Sequence, residues 1–132
     1  DIVAMDTFYE YCFDNNIEPD DFIEFHSNYW MNKIKKTLKK YHDKGIKVFL
    51  LSWTDEYLDM IEKDEFLNSI FVPLFYKDKK FKCIADLYKF DEEMRIDKHI
   101  KNKNMGYDEH PSSNCHQVIA NSILKNWNEK KV

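Results

Sequence analysis

Apolar side chains recur at helical spacing from Trp30 through Ile34 and Leu38 to Tyr41, while Lys33, Lys35, Lys36, Lys39 and Lys40 fill much of the remaining circumference. A stripe with this period marks an amphipathic helix that turns one face to a core. Trp30 and Tyr41 lie on the stripe and are expected inside. Pro19-Asp20-Asp21 signals the start of the helix, with two carboxylates near the positive end of its dipole. Gly45 is its natural C-terminal cap. Upstream, Phe8, Tyr9, Tyr11 and Phe13 crowd residues 7–15, which are expected to form a short helix or turn.

The pattern changes immediately after Gly45. Ile46-Lys47-Val48-Phe49-Leu50-Leu51 is a nearly continuous apolar run, and a run of this kind predicts a strand buried on both faces of a parallel sheet. Thr54, followed by Asp55 and Glu56, is the expected N-cap of a helix carrying Tyr57, Leu58 and Ile61. A second short strand is expected at 70–75, a turn at 76–80, and a strand end or helix start at 81–84. Residues 91–109 read as an irregular charged connection. A final helix from about Ser112 to Trp127 presents Ile119, Ile123, Leu124 and Trp127 as its apolar positions. The order of helix, buried strand, helix, strand and final helix predicts an α/β fold, a three-layer α/β/α arrangement around a parallel sheet. Two or three strands, the third at residues 1–5, make a small sheet. The missing strands are expected to precede Asp1, so residues 1–132 are read as a single domain incomplete at its N-terminus.

Composition narrows the function classes. The chain has 132 residues, 20 Lys+Arg against 24 Asp+Glu, and a net charge of −4, with both signs mixed along its length. No basic stripe of the nucleic-acid-binding kind stands out, and Arg95 is the sole arginine, so bidentate phosphate or base readout is not expected. No apolar run approaches the roughly 20 residues that span a bilayer, and no signal-peptide pattern opens the chain, so a membrane partner is not expected. Cys12, Cys83 and Cys115 are odd in number and lack C-x-x-C spacing, which favours reduced thiols and a cytoplasmic or virion-associated setting over a disulfide framework.

The most informative stretch is Tyr107-Asp108-Glu109-His110-Pro111-Ser112-Ser113-Asn114-Cys115-His116, followed by Ile119-Ala120. Pro is tolerated in the first turn of a helix, so the helix can begin almost directly after His110. An imidazole is then held on a stiff stub with a carboxylate two residues behind it. A general base needs this arrangement: the carboxylate accepts the Nδ1 proton and fixes the tautomer, leaving Nε2 to take a proton from a hydroxyl.

Those residues resemble the last block of the SGNH hydrolases, the GDSL-type esterases and lipases, and in pattern their phage and viral members. Asp108, His110, Pro111 and Ser112 match that block, and His116, Ile119 and Ala120 match its continuation. The commoner family spacing is Asp-x-x-His, whereas Glu109 alone intervenes here, and Cys115 stands where a Gly usually precedes the second His. The resemblance implies a flavodoxin-like α/β/α fold and ester hydrolysis through an acyl-enzyme, with His110 and Asp108 catalytic. The implied substrate is a small ester such as an acetylated carbohydrate, with no cofactor. It places Ser52 and Trp53 at the site-facing end of a central strand, as candidate substrate contacts. The family's nucleophile and oxyanion-hole blocks have no counterpart, since Gly45 and Gly106 are the only glycines.

Plainer explanations stand beside these. The plain alternative for Asp108 and His110 is an Asx-turn and a helix cap. Ser52 lacks the glycines of a nucleophile elbow and fits a helix entry better. Ser112 and Ser113 are most simply N-cap residues. The spacings among Asp108, His110, Cys115 and His116 fit no zinc pattern, so no metal is expected. His116 is expected to pack beneath the loop, and Trp53 belongs either to the core or to a substrate wall. The functional alternative to an esterase is a non-catalytic binding or structural protein, such as a part of a larger viral assembly.

Overall fold

The computed structural model describes residues 2–95, 101–102, 106–107 and 110–129. The chain divides into two compact units, Asp1–Lys47 and Val48–Val132.

The first unit is a pair of helices, α1 (Ile2–Asp14) and α2 (Pro19–His42). Where a strand is expected at residues 1–5, α1 already begins. Both helices stop by the same device. After α1, the Ile17 amide donates to the Cys12 carbonyl at 2.8 Å and the Asn16 amide to that of Phe13 at 3.2 Å, with Asn16 at φ +52°. After α2, Ile46 donates to Tyr41 at 3.1 Å and Gly45 to His42 at 2.9 Å, with Gly45 at φ +80°. These paired bonds form the Schellman closure, which requires a left-handed residue and therefore selects Gly or Asn. The α2 start is as expected, with Pro19 in the first turn and Asp20 and Asp21 at the positive dipole end. Lys39, Lys40 and His42 sit at the negative end.

The two helices meet where the Phe8 ring lies 5.4 Å from that of Phe22. Trp30 and Tyr41, expected in the core, are 51% and 45% exposed. At 1.5 Å per residue, α2 outruns α1 by about 16 Å, so its C-terminal half has no helix of the unit beside it. Met31 is the residue of α2 that is buried.

Among the described residues the second unit holds four helices, two antiparallel strand pairs and a 3-10 turn. In chain order they are α3 (Leu58–Lys63), α4 (Glu65–Ile70), β1 (Leu74–Tyr76), β2 (Lys79–Phe81), α5 (Ile84–Phe90), the 3-10 turn Glu92–Met94, β3 (Lys101–Asn102), β4 (Gly106–Tyr107) and α6 (Ser113–Glu129). The described residues are mostly helical, and their only sheets are two antiparallel pairs, β1 with β2 and β3 with β4. The expected three-layer fold around a parallel sheet is therefore overturned. The apolar run after Gly45 does lie parallel to later chain, but only through isolated bridges, Leu50 to Phe71 and Ser52 to Cys83. The reason is local. Phe71 directly follows α4 and Cys83 directly precedes α5, so a helix adjoins each bridging residue on one side and the pairing stays at single bridges.

Helix α3 also starts later than expected, at Leu58 rather than after Thr54. The Ser52 hydroxyl donates to the Thr54 carbonyl at 2.6 Å and holds 52–54 in a bend. Asp64 closes α3 and caps α4, accepting the Leu67 amide at 3.0 Å.

The core gathers Leu74, Ile84, Leu87, Tyr88, Met94, Cys115 and Val118 from β1, α5, the 3-10 turn and α6. Burying one Leu of this kind stabilises by about 1.5–3 kcal/mol. A buried serine ties the sheet to the last helix. The Ser122 hydroxyl accepts the Phe75 amide at 2.9 Å and donates to the Val118 carbonyl at 2.7 Å, so an edge-strand N–H is satisfied by a helix side chain. Among the described residues no helix is long and apolar enough to cross a membrane.

Candidate functional site

The foot of α6 is built as a fixed post. Ser112 is its N-cap: the hydroxyl accepts the Cys115 amide at 3.2 Å, and the Ser112 carbonyl takes the His116 amide at 3.0 Å. The same hydroxyl donates to the Glu93 carbonyl at 2.8 Å, and the Ser112 amide donates to the Met94 carbonyl at 2.7 Å. Pro111 is buried and bridges antiparallel to Arg95. One residue before this anchored pair, His110 is exposed.

A second post comes from the apolar run. The carbonyls of Ser52 and Trp53 accept the Ile84 and Ala85 amides at 3.0 and 2.9 Å, satisfying the first donors of α5 in place of a side-chain cap. With its backbone fixed this way, the Trp53 indole is 41% exposed and meets two rings edge-on. The Tyr88 ring lies 6.3 Å away at 87°, and the His110 imidazole 6.4 Å away at 78°. Trp53 thus stands between a buried tyrosine and an exposed histidine, in the T-shaped geometry that the aromatic quadrupole favours.

The structure brings together two of the four candidate residues, His110 and Trp53. Ser52 lies next to Trp53 in sequence but is buried, and its hydroxyl proton is committed to the Thr54 carbonyl. Asp108, with Glu109, falls outside the described residues. His116, expected to pack beneath the loop, is instead exposed on α6. Tyr88 went unrecognised in the sequence. Its signal was the spacing Ile84, Leu87, Tyr88 alternating with polar Asp86 and Lys89, the apolar face of the short helix α5.

Neither thiol of this unit is poised for nucleophilic work. Burial pushes the Cys115 and Cys83 thiols up from their usual range, so the reactive thiolate is disfavoured at neutral pH. Among the described residues no group of three His, Cys, Asp or Glu side chains could hold a metal ion. Chemically, the site offers an exposed imidazole on a rigid backbone beside a flat apolar wall. Such a group can take or give a proton at a molecule resting on the indole. No protein-family model matches the chain, and the searches of curated proteins and of solved structures likewise gave no match.

Proposed function

We propose that this chain carries the acid–base part of an ester-hydrolysing site of the SGNH kind. His110 is its general base and acid, Asp108 the carboxylate that orients it, and Trp53 the wall against which the substrate lies. The observation that carries this reading is the contrast between an exposed His110 and the buried, bridged Pro111 that follows it. In the proposed cycle the imidazole accepts a proton from an attacking hydroxyl, then returns it to the leaving alcohol as the ester C–O bond breaks. The substrate class is a small ester such as an acetylated carbohydrate, whose apolar ring face suits the exposed indole. The attacking hydroxyl does not come from Ser52 or Ser112, which are both hydrogen-bonded to backbone carbonyls.

Fluorophosphonate labelling of the full-length gene product is the test. A labelled serine, with labelling and acetyl-ester hydrolysis both lost in His110→Ala, is the expected result. Absence of label, with hydrolysis unchanged in His110→Ala, would sink the proposal.

The commitment of both hydroxyls favours a second reading, a non-catalytic binding or structural protein that uses the same surface. It predicts that an acetylated sugar binds without turnover and that Trp53→Ala abolishes this binding while His110→Ala leaves it intact.

A further inference from the structure

A cleft of about 450 Å3 opens at the β1–β2 hairpin, lined by Lys77, Lys79, Lys80 and Lys125 with Asp78 as the sole carboxylate of its wall. This local excess of positive charge sits in a chain whose net charge is −4. Three separate features fix these lysines around the one hairpin.

The first is the turn. Lys77 and Asp78 have φ of +47° and +58°, a two-residue turn of the type that normally recruits Asn-Gly. Adopting it with two non-glycine residues sets Lys77 and Lys79 on either side of a tight corner. The second is register: Phe75 pairs with Lys80 and Tyr76 with Lys79 across the hairpin, so each lysine neighbours an aromatic ring. The third is ring contact. Lys125 of α6 places its Nζ 4.0 Å from the Phe75 ring centre, Lys77 is 4.9 Å from Tyr76, and Lys79 is 4.7 Å from Phe90. Cation–π contact positions an ammonium without neutralising it. Lys77 is shared with Asp91 at 3.4 Å, while Lys79, Lys80 and Lys125 have no carboxylate partner among the described residues.

We infer that this cleft binds a small ligand carrying two or more clustered phosphate groups. Lysine ammoniums act as compact point charges, suited to phosphate oxygens and not to the bidentate reading of base edges. The rings of Phe75, Tyr76 and Phe90 each already carry an ammonium, so they are poor platforms for the base stacking on which single-stranded nucleic acids depend. The cleft volume also falls in the range of small-molecule sites.

Titration calorimetry of the full chain with tripolyphosphate, at low salt and at physiological ionic strength, tests this. The hairpin variant Lys79→Gln/Lys80→Gln/Lys125→Gln removes three charges and keeps the side-chain stems. A control, Lys35→Gln/Lys36→Gln/Lys40→Gln, removes the same charge from α2. The expected result is saturable binding that the hairpin variant weakens by about tenfold or more, equivalent to about 1.4 kcal/mol, and that the control leaves nearly unchanged. Equal weakening by both variants would reduce the effect to diffuse surface charge and overturn the inference, as would no binding at all. Tighter binding of an oligothymidylate through the same lysines would overturn it in favour of a nucleic-acid strand.

Discussion

The indole of Trp53 meets the imidazole of His110 edge-on, with ring centres 6.4 Å apart and planes at 78°. Two backbone segments far apart in sequence, 52–54 and 110–112, are each tied down by main-chain hydrogen bonds so that these rings converge. Trp53→Ala is therefore expected to shift the ring-proton resonances of His110, whereas Trp127→Phe leaves them in place. Because the indole is only partly buried, the stability cost is about 1–2 kcal/mol by urea unfolding, below that of a core tryptophan. Unmoved His110 resonances in Trp53→Ala would dissolve the pair.

Ser112 does two jobs with one hydroxyl, accepting from Cys115 and donating to Glu93. Ser112→Ala removes both, with an expected loss of about 1–2 kcal/mol and faster amide exchange at Cys115. Ser112→Asp restores the acceptor but not the donor, so it recovers Cys115 protection and only part of the stability. Full recovery would show that the link to Glu93 contributes nothing.

Asp91 supplies a pH dependence. The Tyr76 hydroxyl donates to it at 2.9 Å and is the main reason its carboxyl is held below the usual range; burial works against this, and the Glu93 amide and Lys77 add to the lowering. A carboxyl with a depressed folded-state pKa contributes stability in full above its unfolded value of about 3.9 and loses it as pH falls through the folded value. Tyr76→Phe is expected to cost on the order of 1 kcal/mol at neutral pH. That gap closes as the pH drops from about 5 toward 2, measured by urea unfolding at each pH. A gap independent of pH would assign the effect to packing alone.

Gly45 sits at φ +80° with open space where a Cβ would stand. The penalty for Gly45→Ala is therefore conformational and not steric, about 1 kcal/mol, with fraying of the last turn of α2 visible in amide exchange of Gly45 and Ile46 neighbours. Unchanged stability and exchange would mean that the closure after α2 is not held by a left-handed residue.

Much of the chain was legible because short-range hydrogen bonds decide it. Pro19-Asp20-Asp21 starts α2, Gly45 closes it, and Ser112 caps α6, each through groups within five residues of one another. The Asn16 closure of α1 uses the same rule but went unread, although Asn is the next choice after Gly in the left-handed region. The run at 46–51 misled because apolarity reports burial, not pairing. Its residues could equally join a ladder or, as here, touch later chain at single bridges. Trp30 and Tyr41 misled for a related reason: a stripe shows that a face is apolar without showing that anything lies against it. Of the site, the stub His110-Pro111-Ser112 was visible as a local pattern, while Tyr88, the other ring against Trp53, was not.

The sequence by itself determined where α2 begins and ends and where α6 begins, because caps, dipole charges and left-handed closures act over one turn of chain. Only the tertiary structure decided what those elements meet. Ser122 reaching the Phe75 amide, Trp53 lying between Tyr88 and His110, and Lys125 resting over Phe75 all join residues 35 or more positions apart. Such contacts depend on how elements pack in three dimensions, and no local rule in the chain encodes them.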